Sequence, residues 1–111
     1  MEKLNLEQLV SIIMKQALEK GFGTKPEDIN VGEKMALIHS EVSEAYEAYR
    51  HQNMDGKDGF KEELGDVIIR VLHLCGIFEI DIEKEILQKI NYNQDRVWDF
   101  SKMNETHTDE K

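Results

Sequence analysis

The chain has 111 residues, which suits one compact domain and leaves little room for a second. Hydrophobic residues make up 40% of it and charged residues 33%, and the formal net charge is −9. This acidity argues against nonspecific binding of nucleic acid, which needs clustered basic residues. A small phosphorylated ligand stays compatible, because a bound divalent cation inverts the charge that the ligand meets.

Nothing in the sequence indicates a membrane protein or a secreted one. No apolar run approaches the roughly 20 residues of a membrane-spanning helix, and the start MEKLNLEQLV lacks a basic segment followed by an apolar one. The single cysteine, Cys75, cannot form an intrachain disulfide. We therefore expect a cytoplasmic protein in a reducing compartment, without membrane contact.

Two helices are predicted in the first half of the chain. The first follows Asn5, a good N-cap, and ends at Gly21-Phe22-Gly23, after which TKPEDIN is a predicted loop. Its apolar face consists of Leu6, Leu9, Val10, Ile13, Ala17 and Leu18. The second runs from about Gly32 to about His51. Its predicted core stripe consists of Met35, Ile38, Val42, Ala45, Tyr46 and Tyr49.

Two more helices are predicted after the turn-rich segment NMDGKDG. The third runs from about Asp58 to Gly76 or Phe78 and is apolar nearly all round, which is typical of a central, buried helix. Asp81 is the predicted cap of the fourth. The apolar residues of this helix are Ile82, Ile86, Leu87, Ile90 and Val97. We expect an all-α, antiparallel helical bundle in a single domain, residues 1–100, followed by a polar C-terminal tail, 101–111.

Two pairs of carboxylates lie within or beside these apolar faces. Glu41 and Glu44 are about 60° apart around the second helix, and Glu63 and Asp66 are about 60° apart around the third. A carboxylate that is buried without a partner is strongly destabilising unless it binds a proton. We therefore expect all four side chains to be held away from solvent and to need partners.

Three kinds of partner are open. Arg70, four residues after Asp66, could form a salt bridge with it, although one arginine cannot neutralise four acids. Two acids could share a proton. Four convergent oxygen atoms would suit Mg²⁺ or Mn²⁺, and Mg²⁺ commonly binds a substrate phosphate as well. The Glu-x-x-His motif of di-iron bundles does not occur in the chain, so a metal site here would favour Mg²⁺ over iron.

A polar stripe on the fourth helix is formed by Lys89, Asn93 and Arg96, which are spaced by four and three residues. Two cations and an amide would suit a polyphosphate. Taken alone, the stripe is more typical of a solvated face, on which Lys89 pairs with Glu85.

Together these motifs are similar to those of a known family. Glu41-x-x-Glu44, an 18-residue gap, Glu63-x-x-Asp66 and then Lys89-x-x-x-Asn93-x-x-Arg96 resemble the all-α, MazG-like nucleoside triphosphate pyrophosphohydrolases. The segments ALIHSEVSEAYEAYR, EELGDVIIRVLHL and KINYNQDR look like family segments too. The resemblance covers residues 30 to 97, most of the predicted domain.

The resemblance implies a MazG-like four-helix bundle that cleaves an NTP or dNTP to the monophosphate and pyrophosphate with Mg²⁺, or Mn²⁺ in its place, and so clears nucleotides from the cellular pool. It implies that the catalytic, metal-binding residues are Glu41, Glu44, Glu63 and Asp66. It implies that the phosphate-binding residues are Lys89, Asn93 and Arg96. It also implies a homodimer or homotetramer, in which a neighbouring chain completes the bundle.

Two other functions stay compatible with the sequence. One is the related phosphoribosyl-ATP pyrophosphohydrolase activity, and the other is a noncatalytic helical module that binds metal or nucleotide. The presence of all four acids together with the basic stripe favours an enzyme. Ser40 stands where many relatives carry a further acidic residue, so the number of metal ions stays open.

Overall fold

A computed structural model of the protein describes residues 3–96, and over this range it contains four α-helices and no strand. The helices are α1 (Leu6–Lys20), α2 (Val31–Arg50), α3 (Phe60–Ile77) and α4 (Ile82–Asp95). A single 3₁₀ turn, Pro26–Asp28, lies in the segment predicted to be a loop. The all-α prediction is confirmed. None of the described helices is both long enough and apolar enough to cross a membrane.

Side-chain caps determine where three of the helices begin. Asn5 accepts a hydrogen bond from the backbone N–H of Gln8 at 2.8 Å, and the Gln8 side chain accepts one from the N–H of Asn5 at 2.9 Å. Asn30 and Asp81 cap α2 and α4 in the same manner. Each cap satisfies an N–H group that has no partner within the helix. The predicted caps at Asn5 and Asp81 are confirmed.

α3 is the central helix, because it packs along both α2 and α1, while α4 packs mainly against α1. Close approach depends on small residues, since Gly76 of α3 faces Met14 and Val10 of α1. The buried apolar residues are Ala17, Ala45, Ala48, Leu72, Cys75 and Ile77. The predicted central position of the third helix is confirmed, and Cys75 is buried within it.

The predicted core stripe of α2 is largely wrong for a single chain. Its exposed members are Met35, Val42, Tyr46 and Tyr49, of which Tyr46 is 63% exposed. The less exposed line runs instead through Ile38, Glu41, Ala45 and Ala48. The physical reason is that α2 has two apolar faces, and alanines on one of them let the neighbouring backbone come close. The first acidic pair therefore begins on the buried face itself.

Other predicted core residues are also exposed. They are Leu18 of α1, Leu64, Ile68 and Ile69 of α3, and Ile86, Leu87 and Ile90 of α4. α4 contains no buried residue at all. Within residues 3–96 these side chains are left exposed, and α4 packs mainly against α1 rather than against α3. Val97 and the predicted tail, 101–111, lie outside the described residues.

Gly76 and Gly65, both in α3, offer a matched test of this packing. A Cβ at position 76 would overlap the side chain of Met14, whereas a Cβ at position 65 meets nothing within 4 Å. Gly76→Ala should lower the free energy of unfolding by about 1 to 2 kcal/mol through overpacking. Gly65→Ala should raise it by up to about 1 kcal/mol, because alanine favours the helix. Urea unfolding of both variants checks this, and equal stabilisation by both would contradict the α1–α3 contact.

Candidate metal centre

Three carboxylates converge where α2 packs against α3. Glu41 and Glu44 of α2 and Glu63 of α3 each offer an oxygen atom, and these atoms lie within 4.8 Å of one another. We call these three residues the acidic cluster. Asp66 is close enough for its charge to act on Glu63, but it contributes no oxygen to the cluster. The structure therefore brings three of the four predicted acids together, with the fourth nearby.

The four acids differ in burial. Glu63 is only 7% exposed, and the side chain of Glu41 is 14% exposed. Asp66 is half-buried, whereas Glu44 is exposed and accepts a 3.4 Å hydrogen bond from the Ser40 hydroxyl. The expectation that all four are held away from solvent is thus wrong for Glu44. Its position is about 60° around the helix from Glu41, which places it at the edge of the α2–α3 contact.

Arg70 is the cation of the site. Its Nε donates to Oε2 of Glu41 at 2.9 Å, across the two helices. Of the partners open to Arg70, the structure thus selects Glu41 on the opposite helix rather than Asp66 on its own helix, because the more deeply buried carboxylate of Glu41 lies opposite Arg70. The second oxygen of Glu41, Oε1, is buried, and no hydrogen-bond donor in the described part of the chain reaches it. Arg70 therefore neutralises only part of the negative charge of the cluster and bonds only one of the two oxygen atoms of Glu41.

Glu63 is held near its point of titration. Burial is the largest cause that raises its pKa, to about 7, followed by the hydrogen bond with Glu41. The negative charges of Glu44, Glu41 and Asp66 raise it further. With a pKa of about 7, part of the Glu63 population carries a proton near neutral pH when no metal is bound. Near neutral pH, the metal-free cluster thus combines two of the expected kinds of partner, an arginine and a proton.

A divalent cation fits this arrangement better than either partner. The buried Oε1 of Glu41 has no donor, and Glu63 ionises reluctantly when no cation faces it. The residues that could hold the ion are Glu41, Glu44 and Glu63, with Asp66 nearby. Within residues 3–96 the cluster contains no histidine and no cysteine, and such an all-oxygen set suits Mg²⁺ or Mn²⁺.

The basic stripe stays together at the C-terminal end of α4, where Lys89 and Asn93 lie in the helix and Arg96 is the extended residue that follows it. The Lys89 ammonium and the Arg96 guanidinium lie 5.0 Å and 5.3 Å from the centre of the Tyr92 ring. Asn93 is half-buried on the same helix. The predicted Lys89–Glu85 pair is not among the ion pairs of the described residues. A cavity that adjoins the acidic cluster is lined by α1, α2, α3 and the loop after α1, without a residue of α4.

His73 and Gly23 were not foreseen as neighbours. The ring Nε2 of His73 donates to the backbone carbonyl of Gly23 at 2.9 Å, so Nε2 carries the proton. The contact between His73 and this loop, 50 residues earlier, depends on how α3 packs against the end of α1. A local sequence pattern cannot predict such packing.

The acidic pairs and the basic stripe all lie within one recognised segment. Residues 32–98 match the MazG nucleotide pyrophosphohydrolase domain, which is more than half of the chain. The chain belongs to the MazG family. The strand-free, four-helix architecture of residues 3–96 is consistent with a MazG-like helical fold. Searches of curated proteins and of solved structures found no match.

The proton on Glu63 makes the stability of this MazG domain depend on pH. Because its folded pKa of about 7 lies above the ordinary 4.5, the folded state binds the proton more tightly than the unfolded state does. That stabilisation is complete below about pH 4.5 and is lost as pH rises through about 7. With a chelator present, the wild type should therefore lose stability relative to Glu63→Gln between about pH 5 and about pH 8.

Urea unfolding at several pH values measures the difference between the two proteins. Glu19→Gln, which changes an exposed acid of α1, is the matched control and should keep the slope of the wild type. Parallel curves for the wild type and Glu63→Gln would contradict a raised pKa of Glu63.

Proposed function

We propose that the protein is a Mg²⁺-dependent nucleoside triphosphate pyrophosphohydrolase, which cleaves an NTP or dNTP to the monophosphate and pyrophosphate. The observation that supports this most is the convergence of Glu41, Glu44 and Glu63, with one buried oxygen that has no donor, in a chain of the MazG family. The corresponding role is the clearing of unwanted or surplus nucleotides in the cytoplasm.

Each acid has a part in this proposal. A bound divalent cation supplies charge neutralisation at the phosphoryl oxygens and lowers the pKa of a water molecule. Glu41 and Glu63 would be the buried ligands, and both would hold the ion as carboxylates. Asp66 adds negative charge beside them. Glu44, whose side chain is exposed, is placed to orient or deprotonate the attacking water.

The phosphate-binding role of Lys89, Asn93 and Arg96 requires α4 to face an acidic cluster. Within one chain, α4 packs mainly against α1 and keeps its apolar residues exposed. We therefore propose a homodimer or homotetramer, in which a second copy covers the exposed faces of α2 and α3 and brings its own α4 towards the cluster. The exposed residues that such an assembly would cover include Val42, Tyr46, Leu64 and Ile68.

The activity is tested by pyrophosphate release. The wild type should release pyrophosphate from ordinary or deoxy triphosphates with Mg²⁺ and not with a chelator. Glu41→Gln should lower kcat/KM by about a hundredfold or more, since losing even an indirect metal partner commonly costs 10- to 100-fold. Glu47→Gln, an exposed position on the same helix, should stay close to the wild type.

The same assay separates the alternatives. Turnover of phosphoribosyl-ATP alone would identify the related enzyme. No pyrophosphate from any substrate, with folded protein, would leave only the noncatalytic module. Full activity of Glu41→Gln would show that the acidic cluster is not the site.

The assembly is tested by a pair of charge substitutions in α2. Val42 and Ser43 are adjacent and both exposed in one chain, but only Val42 belongs to the apolar face. Light scattering after size exclusion should give a multiple of the single-chain mass for the wild type and for Ser43→Glu. Val42→Glu should shift the protein to the single-chain mass, because it buries a charge without a partner. A single-chain mass for the wild type would contradict the assembly.

A further inference from the structure

A cavity of about 330 Å³ lies beside the acidic cluster. Two acids, Glu41 and Asp66, line it, and its apolar lining comes from Ile13, Ala17, Phe22 and Ile69. The volume falls within the range of small-molecule sites, which combine apolar walls with a few polar groups. A ligand that contains both phosphates and a flat ring could place the phosphates at the acidic cluster and the ring against the apolar wall.

The lining of this cavity also includes two cationic side chains that can donate hydrogen bonds, Lys34 and Arg70. The Nε of Arg70 donates to Glu41, and within the described residues its two terminal amino groups make no hydrogen bond or ion pair. These amino groups can therefore donate to a ligand. The half-buried Lys34 forms no ion pair within residues 3–96. On the side of Arg70 and Lys34, a ligand edge that carries hydrogen-bond acceptors would therefore find donors.

The loop after α1 forms part of the cavity wall, and contacts with α3 and with Ile29 hold this loop in place. His73 donates to the carbonyl of Gly23, whose φ of +100° favours glycine. A Cβ on Gly23 would lie 2.9 Å from Cγ2 of Ile29, so the turn has no room for a side chain. Phe22, the preceding residue, is 57% exposed and lines the cavity, where an aromatic ring can stack on a base.

We propose that this cavity receives the nucleobase and that Arg70 selects bases with the acceptor edge of guanine. The proposal rests on the proposed function, because phosphates held on the acidic cluster would direct the base of a substrate into this cavity. With Nε on Glu41, the terminal amino groups can bond O6 and N7 of guanine or hypoxanthine together, as arginine does in nucleic-acid recognition. Adenine presents an amino group in place of O6 and is disfavoured.

Relative kcat/KM for GTP, ITP and ATP tests this, since the three differ only in the base. The wild type should favour GTP and ITP over ATP by at least about fivefold, the lower end of what one bidentate contact discriminates. Arg70→Lys keeps a positive charge near Glu41 but lacks the planar fork. It should bring the three values together, so that the ratio of kcat/KM for GTP to that for ATP falls to about one, although the altered contact with Glu41 also lowers all three values. Arg70→Gln should do the same, and the exposed Arg50→Gln should keep the preference.

Each contrary result has a separate meaning. A wild type without preference, or Arg70 variants that lower all three values equally, would overturn base selection while the proposed function stands. If no triphosphate is hydrolysed, the proposed function fails, and the cavity is tested by NMR titration with guanosine and adenosine. Preferential binding of guanosine that Arg70→Lys abolishes would still support the cavity proposal, and binding of neither nucleoside would overturn it.

Discussion

The structure depends on the desolvation of two carboxylates between α2 and α3. Glu63 and Glu41 lie where two helices would ordinarily place apolar side chains, and burial disfavours their charged forms. Arg70 and a proton offset this only in part, because Oε1 of Glu41 still has no donor. Such an arrangement lowers the stability of the metal-free fold, which is the usual cost of a preformed site for a cation.

The helices around this site contain many apolar residues, but several of them are exposed in one chain. α3 is central, yet Leu64 and Ile68 on it are exposed, and α4 has no buried residue. The alanines of α2 bring it close to α3, and this closeness is what makes oxygen atoms of different helices converge. Within the described residues, the bulkier face of α2 thus stays exposed on the side away from the acidic cluster.

Local features were predictable because they depend on neighbours in sequence. Asn5 and Asp81 begin helices through bonds to residues three positions away, and the four acids could be recognised because acids in apolar helices need partners. The Arg70–Glu41 pair, in contrast, depends on the register between α2 and α3. Which face of α2 is buried was equally out of reach, since both faces are apolar and packing, rather than hydrophobicity, decides between them.

The open side of α3 has a consequence for the way this protein responds to its own abundance. When a fold is completed only by association, its free energy of unfolding includes a term that depends on protomer concentration. With the assembly proposed above, dilution would loosen the contacts around α2 and α3 before any residue of the acidic cluster is altered. Protein concentration and metal concentration would then both shift the equilibrium between the folded, assembled protein and the separated chains.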